Sequence, residues 1–513
     1  MALALPATVA AGFLWGAYEH RNRAIGNQKP VSQLPLGPSF FPIIGNLIAI
    51  LRTWAASNEA MHDMILEQIK KDPKSVKCVQ FSIPFRPLMI LTWDPRNVEH
   101  ILKTNFDNFV KGEEFRHNMG DLLGAGIFVV DGEPWKKQRK MASHIFSVRN
   151  FRDFTANVFA DESVKLGALL ENAAQTGQTI DLQDAFFRFT LDSFVKLAFG
   201  INLGSLDSPL PVPFAAAFDR AQTFCDERFR LPGAAMIHAL SGRGKQHAKD
   251  LDLIHEFARS IISRRRNGGS DSPELSQGND LLALLLRITR EGGDALSDDE
   301  LADMVLNFII AGRDTTAQAL SWTFLLLTKN KHIEAEAVSE MKKFFGADRL
   351  ADPNFETTYD EVKDWTYGKA LFYETLRFYP SVPKDGKYAV KEDVLPDGTV
   401  VPAGALVMFS NWVMGRLEEL HGSDAADFKP TRWIDPDTQA FKTPSQFQYP
   451  VFFAGPRVCL GQTMATIEGV YVIIQVLRRF SIEVQLPEKV TYTNSLTLPM
   501  SGPLRVHVSR RDL

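Results

Sequence analysis

The 513-residue chain has little cysteine and no excess of charge of one sign. Its three cysteines, Cys78, Cys225 and Cys459, are far apart and odd in number, which argues against a disulfide framework and suits a reducing compartment. The 57 basic and 61 acidic residues give a net charge of -4, so the chain lacks the basic field that nucleic-acid binding requires. With 45% hydrophobic and 23% charged residues, we expect a globular protein with a large core.

Long uncharged apolar runs are also scarce. Residues 1–18 carry no charged side chain and are followed by His20, Arg21, Arg23 and Lys29. Because a spanning helix needs about 20 apolar residues, segment 1–18 is a marginal membrane anchor, and the basic residues behind it favour a cytosolic position for the remainder. A cleaved signal peptide is the alternative, disfavoured because no Lys or Arg precedes the apolar run.

Prolines mark the next segment, since proline lacks an amide donor and restricts the residue before it. Pro35, Pro38 and Pro42 therefore predict a basic, Pro-rich hinge over residues 19–45, followed by the body of the chain over residues 46–513. The polar stretch 267–280 is predicted to be a surface loop. Helical periodicity dominates the middle, and the alternating runs 480–486 and 504–508 predict strands. The fold class is mainly α with small β-sheets.

Cys459 has neighbours that set it apart from an ordinary buried cysteine, which is usually only a small hydrophobe. Apolar residues at helical spacing over 460–480 predict that the sulfur lies at a helix N-terminus, where the dipole lowers the pKa of a thiol from about 8.5. Gly455 and Gly461 have no Cβ and would let a flat macrocycle approach. Arg457 suits a carboxylate.

A second group of residues lies in a long predicted helix. Ser297 and Glu300 form a capping-box pattern, and helical spacing continues to about residue 330, a length of roughly 50 Å. The segment 311–316, Ala-Gly-Arg-Asp-Thr-Thr, lies in the middle of this helix. On its own it predicts polar side chains that are satisfied locally, as Thr often bonds the carbonyl four residues back.

Two further pairs have helical spacing. Glu374 and Arg377 are three residues apart, and such a pair is usually a solvated ion pair of little value. Trp135 and Arg139 are four apart, and Pro134 before them suits a first helical turn. A basic helix of this kind is usually a solvated face.

Taken together, these segments resemble the cytochrome P450 family over nearly the whole chain. The run Phe452 to Gly461 matches its haem-binding signature F-x-x-G-x-R-x-C-x-G, and A-G-x-D-T-T, E-x-x-R and W-x-x-x-R segments occur in the family's order. The resemblance implies haem b held between the long central helix and the Cys459 loop, with the thiolate as axial ligand that favours O–O cleavage. The haem is expected to be non-covalent, because Ala311 stands where some animal ω-hydroxylases have a Glu that binds haem covalently.

The resemblance also implies roles for individual residues. Asp314 and Thr315 would relay protons as catalytic residues, and Gly312 would leave room for oxygen. Glu374, Arg377 and Arg432 would form a structural network that braces the segment leading to the ligand. The cofactor would be held by Cys459, as the metal ligand, and by Arg457, Trp135, Arg139, Lys387, Phe452 and Gly461.

Segments 123–147 and 393–416 look like the microsomal fatty-acid and alkane ω-hydroxylase branch of plants and fungi. Arg116 or His117 could pair with a substrate carboxylate at the channel mouth, although a plain exposed charge is the alternative. By family position, the substrate pocket is mainly apolar, as a hydrocarbon chain needs, and is lined by Phe115, Leu122, Phe128, Ala311, Val382 and Leu498.

The sequence therefore predicts a monooxygenase that hydroxylates a fatty acid or n-alkane at or near the terminal carbon, using O2. Electrons would come from a separate NADPH-cytochrome P450 reductase, attracted by Lys136, Lys137 and Lys140. We expect the endoplasmic reticulum membrane, with the catalytic domain facing the cytosol. Alternatives are a monooxygenase for polycyclic aromatics, terpenoids or xenobiotics, a haem sensor without turnover, or a hydroperoxide isomerase. Asp314 and Thr315 disfavour the last two.

Overall fold

The structure is a computed structural model of the chain. It describes residues 23–28, 31, 34–37, 39–55, 61–71, 77–146, 149–208, 212–230, 233–267, 280–283, 285–286, 296–493 and 495–512. The predicted anchor 1–18 and nearly all of the predicted loop 267–280 lie outside these residues. Within the described part of the chain, no helix is both long and apolar enough to cross a membrane.

Helices make up most of the described chain, as the sequence predicts. They are α1 (Leu47–Ala55), α2 (Met61–Lys71), α3 (Pro95–Glu99), α4 (Gly112–Leu123), α5 (Gly132–Phe146), α6 (Arg149–Thr176), α7 (Leu182–Phe199), α8 (Pro213–Arg230), α9 (Ala234–Leu240), α10 (Arg243–Asn267), α11 (Asp298–Lys329), α12 (Lys331–Phe345), α13 (Ala347–Ala351), α14 (Tyr359–Asp364), α15 (Thr366–Phe378), α16 (Asn411–Met414), α17 (Glu418–His421) and α18 (Gln462–Leu477).

The strands are short. They are β1 (Cys78–Phe81), β2 (Met89–Thr92), β3 (Phe109–Val110), β4 (Ile180–Asp181), β5 (Asp385–Ala389), β6 (Asp393–Val394), β7 (Val400–Val401), β8 (Leu406–Phe409), β9 (Phe480–Val484) and β10 (Arg505–Arg510). One sheet has the order β1-β2-β8-β5-β3, with β2 and β8 parallel, and another has the order β4-β10-β9. The strands predicted at 480–486 and 504–508 correspond to β9 and β10, which pair antiparallel.

Helix α11 is the centre of the fold. Ser297 caps it, and Ser297 and Glu300 form the predicted capping box. Its side chains are buried along most of its length, and it packs most extensively on α7. It also contacts α10, α15 and α18, so the helix crosses the core between the outer helices and the segment that carries Cys459.

The outer helices α8 and α10 are tied to α4 through Asp121. Arg228 Nη2 on α8 donates to Asp121 Oδ2 at 2.7 Å, and His247 Nε2 on α10 lies 2.9 Å from the same oxygen. Cys225 Sγ donates to Asp121 Oδ1 at 3.5 Å. The Arg228 guanidinium neutralises the Asp121 carboxylate. These contacts therefore form an ion-pair network that connects α4, α8 and α10.

The predicted hinge 19–45 is docked on the body where the structure describes it. Ala24 N donates to Ser82 Oγ at 2.7 Å, and Gln80 Nε2 donates to the carbonyls of Val31 and Leu34 at 2.8 Å. Leu34 is buried. Proline removes donors from this segment but leaves its carbonyls free, and Gln80 donates to two of them, so the described part of the segment packs on the body. The hinge over residues 19–45 stays a prediction.

Candidate functional site

Cys459 lies on a short turn before α18. Its backbone N–H donates to Phe452 O at 2.8 Å, and its sulfur accepts the N–H groups of Gly461 and Gln462. The Cys459 side chain is exposed, whereas Cys78 and Cys225 are buried. The loop therefore presents the sulfur, as an iron ligand requires.

The pKa of Cys459 differs from the sequence prediction. The side chain is accessible, yet it lies deep among protein atoms, and this burial raises the pKa of the thiol above its ordinary value. The N–H groups of Gly461 and Gln462 and the charge of Arg139 lower it only in part. The prediction of a lowered pKa is therefore wrong for the protein alone. A thiolate here needs a bound metal cation, which deprotonates a coordinating thiol.

The two glycines around Cys459 serve different purposes. Gly455 has φ +64°, and a Cβ there would lie 2.1 Å from Leu102 O. Glycine is thus required at position 455 by the backbone conformation and by the close contact with Leu102. This corrects the prediction that Gly455 makes room for a macrocycle. A Cβ on Gly461 would lie 3.9 Å from Cys459 Sγ, an ordinary contact.

Lys387, on β5, indicates a binding position for an anionic group. Its side chain is buried, and Nζ has no hydrogen-bond partner among the described residues. Burial and the nearby Lys111 hold the pKa of this ammonium well below its ordinary value. Nζ lies 5.1 Å from the centre of the Phe453 ring. Charge on a buried amine without a partner is costly, so an anionic ligand at this position would stabilise the ammonium form of Lys387.

Arg457 and Trp135 lie together beside this cation. The Arg457 guanidinium lies 4.4 Å from the centre of the Trp135 ring, and Nη2 donates to Asp131 Oδ1 at 2.8 Å. Arg139, four residues after Trp135, is half-buried and close enough to Cys459 to act on its thiol. The structure thus brings cations and an accessible sulfur into one region, which fits a haem with carboxylate side groups.

Asp314, on α11, is buried and faces α8. Gln222 Nε2 donates to its Oδ2 at 2.7 Å, and its Oδ1 lies 3.3 Å from Arg313 Nη1. Arg313 in turn pairs with Asp219 at 2.6 Å. Burial raises the pKa of Asp314 to about 6, so this carboxyl group exchanges its proton near neutral pH.

Thr315 and Gly312 have local partners. Thr315 Oγ1 donates to Ala311 O at 2.8 Å, the local hydrogen bond that residue chemistry predicts, and Thr315 O accepts from Ser381 Oγ at 2.7 Å. A Cβ on Gly312 would lie 1.9 Å from Phe194 Cδ2 on α7. Glycine is required here by helix packing, which corrects the expectation that it leaves room for oxygen.

Glu374, Arg377 and Arg432 lie together. The pair Glu374–Arg377 is fully buried, with 2.7 Å between Nη2 and Oε1, so it is not the solvated pair that spacing alone predicts. Arg377 donates to the carbonyls of Ala425 and Asp427, and Arg432 Nε lies 3.5 Å from Glu374 Oε1. These bonds tie α15 to the segment that leads toward Cys459.

The predicted pocket residues divide into two sets. Phe115, Phe128, Ala311 and Val382 are at least partly accessible, with Phe128 the most at 38%. Leu122 and Leu498 have no accessible surface and pack in the core. The latter two therefore do not line a pocket in this conformation, because tight helix and loop contacts enclose them. Phe452 packs beside Tyr373, with ring centres 5.7 Å apart.

Several polar residues at the site were not predicted. Asn307 and Gln222 are ordinary amides that contact distant segments, and no sequence pattern distinguishes them. Glu468 is buried on α18, where Ser193 Oγ donates to it at 2.7 Å and Thr316 also hydrogen-bonds it. Burial raises the pKa of Glu468 to about 8. The sequence signal for Glu468 is that it is a single acidic residue within an apolar run of helical spacing.

The charged surface residues are placed as follows. Lys136, Lys137 and Lys140 are exposed, and Lys136 pairs with Glu133 at 2.8 Å. Arg116 is exposed and pairs with Glu113 at 2.8 Å, as expected of a plain surface charge.

The comparisons with known proteins agree with this geometry. The cytochrome P450 family model matches residues 35–504. The cytochrome P450 monooxygenase cyp1 of Mycosarcoma maydis is 36% identical over 502 residues, which cover 93% of this chain and 75% of that protein. Cytochrome P450 704B1 of Arabidopsis thaliana is 35% identical over 510 residues, covering 93% and 95%. This chain belongs to the cytochrome P450 family, as a haem-thiolate monooxygenase.

Proposed function

We propose that this monooxygenase hydroxylates a fatty acid or an n-alkane at or near the terminal carbon. The observation that carries the proposal is the apolar character of the accessible residues at the predicted pocket, led by Phe128. A hydrocarbon chain fits such a lining. The resemblance of segments 123–147 and 393–416 to the fatty-acid and alkane ω-hydroxylase branch of plants and fungi supports it.

Haem b, when bound through Cys459, supplies the activation of O2 and the oxidation of the substrate. Lys387 and Arg457 hold its carboxylate groups, together with Trp135 and Arg139. Phe452 and Gly461 shape the loop around the sulfur.

The chain's own residues deliver protons. Asp314 takes up and releases a proton close to neutral pH, because burial raises its pKa to about 6 and leaves a fraction of the carboxyl groups protonated there. Thr315 Oγ1 donates to Ala311 O in this arrangement, so it passes a proton only after its hydroxyl rotates. A carboxyl group and a hydroxyl group in sequence suffice for general acid catalysis.

Electrons come from a separate NADPH-cytochrome P450 reductase at the endoplasmic reticulum membrane, with residues 1–18 as the anchor and the catalytic domain in the cytosol. The exposed Lys136, Lys137 and Lys140 are suited to steer an acidic partner.

The test is a titration of the ferric protein with dodecanoic acid, hexadecane and a rigid polycycle, followed by product analysis with reductase and NADPH. We expect a spectral response to a linear chain, from displacement of water at the iron, and a terminal or near-terminal alcohol. A response to the polycycle alone would overturn the proposed substrate class and favour oxidation of other lipophilic compounds.

A further inference from the structure

A segment of backbone runs directly beside α11 near its N-terminal end. Residues 124–131, called here the clamped loop, join α4 to α5. Ala125 N donates to Asp303 Oδ2 at 2.7 Å. A Cβ on Gly124, which has φ +56°, would lie 2.0 Å from the Asp303 carboxylate. The clamped loop and α11 are thus so close at Gly124 that a side chain at this position would not fit between them.

Asn307, one turn later on α11, holds the same loop. It is fully buried, and its Nδ2 donates to Leu123 O at 2.8 Å and to Asp303 O at 2.7 Å. Phe128 N donates to Asn307 Oδ1 at 3.1 Å. A Cβ on Gly126 would lie 1.9 Å from Asn307 Nδ2. One side-chain amide therefore bonds the backbone before and after the turn of the clamped loop.

Other contacts fix the rest of the clamped loop. Arg457 Nη2 donates to Val130 O at 2.9 Å, and Gln138 Nε2 donates to Ala125 O at 2.8 Å. Phe128 is 38% exposed, whereas its large apolar neighbours are buried, namely Ile127, Val129 and Val130. The loop is held on several sides and projects one aromatic ring.

Asp303, Asn307, Ala311 and Thr315 follow one another at four-residue intervals on α11. Such residues lie on neighbouring turns of the same side of a helix, about 6 Å apart along its axis. Asn307 therefore fixes the backbone of Phe128 about one turn from Ala311 and two turns from Thr315. Because this amide is buried and bonds the loop backbone directly, the backbone from which the Phe128 ring projects is held at a defined position relative to Ala311 and Thr315.

We propose that Asn307 is the positioning residue that sets regiospecificity, by holding Phe128 as a fixed wall against the substrate. This inference rests on the proposed function, because it concerns which carbon of a lipophilic chain is oxidised. Asn307 acts through its hydrogen bonds to the backbone of Leu123 and Phe128. Loss of its hydrogen bonds frees Phe128 and lets the chain bind in several positions.

The experiment compares wild type, Asn307→Ala, Phe128→Ala and the double variant with dodecanoic acid, and measures the hydroxylated products by mass spectrometry. We expect Asn307→Ala to spread the products over more carbons and to change the ratio of terminal to internal alcohols several-fold. In the Phe128→Ala background the same change should have no further effect, which a double-mutant cycle detects.

Ser321→Ala is the matched control, since Ser321 is buried in α11 and its hydroxyl bonds, among the described residues, only Ala317 O of the same helix. It should keep the wild-type products. Haem content and the ferrous carbon monoxide spectrum show that each variant is folded. A wild-type product ratio in Asn307→Ala, or an equal change with and without Phe128, would overturn the inference.

Amide hydrogen exchange provides a readout that is independent of substrate. Peptides that cover residues 124–131 should exchange faster in Asn307→Ala than in wild type or Ser321→Ala, and unchanged exchange would also overturn the inference. If wild type oxidised neither dodecanoic acid nor hexadecane, the proposed substrate class would fail, while the exchange rates would still decide whether the clamp exists.

Discussion

Gln222 Nε2 donates a hydrogen bond to Asp314 Oδ2 at 2.7 Å, so an outer helix touches the buried carboxyl group of α11. Three residues earlier on α8, Asp219 pairs with Arg313. Two adjacent residues of α11 are thus held by one turn of α8. The proton affinity of Asp314 consequently depends on where α8 lies.

Gln222→Leu should shift the pH dependence of coupled turnover. The Gln222 hydrogen bond lowers the pKa of Asp314, which burial raises to about 6, so its loss raises that pKa further. Asp314 donates its proton only when protonated, and the alkaline limb of product formed per NADPH should move to higher pH. The control is Thr223→Val on the same helix, whose hydroxyl bonds Asp219 O. An unmoved limb would contradict the role of Asp314.

Thr315→Ala should uncouple NADPH use from product. We expect product per NADPH to fall by about 100-fold, the lower end of the roughly 100- to 10,000-fold that a positioned general acid contributes. Thr315 and Ser321 both donate to the carbonyl four residues back at 2.8 Å, so Ser321→Ala removes the same kind of helix bond away from the relay. Equal coupling in the two variants would show that Thr315 has only a structural role.

Lys387→Met should weaken haem retention. A hydrogen bond to a charged group contributes roughly 1.5–3 kcal/mol, which corresponds to about 10- to 100-fold faster transfer of haem to an acceptor protein. Lys369→Met is the control, because its ammonium also lies over an aromatic ring, 4.1 Å from the centre of Phe441, and is not one of the residues assigned to the haem. The same transfer rate in both variants would argue against a carboxylate at Lys387.

Arg377→Leu should destabilise the fold strongly. Both members of the Glu374–Arg377 pair are fully buried, so the change removes the closest cation, at 2.7 Å, from a buried carboxylate and costs about 3–5 kcal/mol of unfolding free energy. Arg259→Leu breaks an exposed pair with Asp299 and should cost at most about 1 kcal/mol. Urea denaturation measures both, and similar costs would contradict the bracing role of the buried pair.

Local patterns were read correctly from the sequence. The long helix with its capping box at Ser297 is α11, and the alternating runs are β9 and β10, because each pattern reflects contacts between residues close in the chain. Cys459 was found because a family signature surrounds it.

Long-range contacts were not predictable. Gln222 and Asp314 are 92 residues apart, and a glutamine in the sequence does not indicate which distant residue its side chain will contact. Glycine is required at position 312 because the ring of Phe194, on another helix, occupies the space of a Cβ. Leu122 is buried by long-range packing, which the spacing of apolar residues in the sequence does not specify. The sequence predicts a lowered pKa for Cys459 because it reveals the helix that follows, whereas the burial that raises the pKa depends on long-range packing.

The buried acid Glu468 makes folding a proton-uptake reaction. Its pKa is about 8 in the folded chain because of burial, against about 4.3 for an exposed Glu, so between these pH values the folded state holds a proton that the unfolded state releases. Its contribution to stability is complete below pH about 4.3 and declines as the pH rises toward 8, by up to about 1.4 kcal/mol per pH unit. A rise in pH toward 8 therefore destabilises the folded protein where α7, α11 and α18 meet.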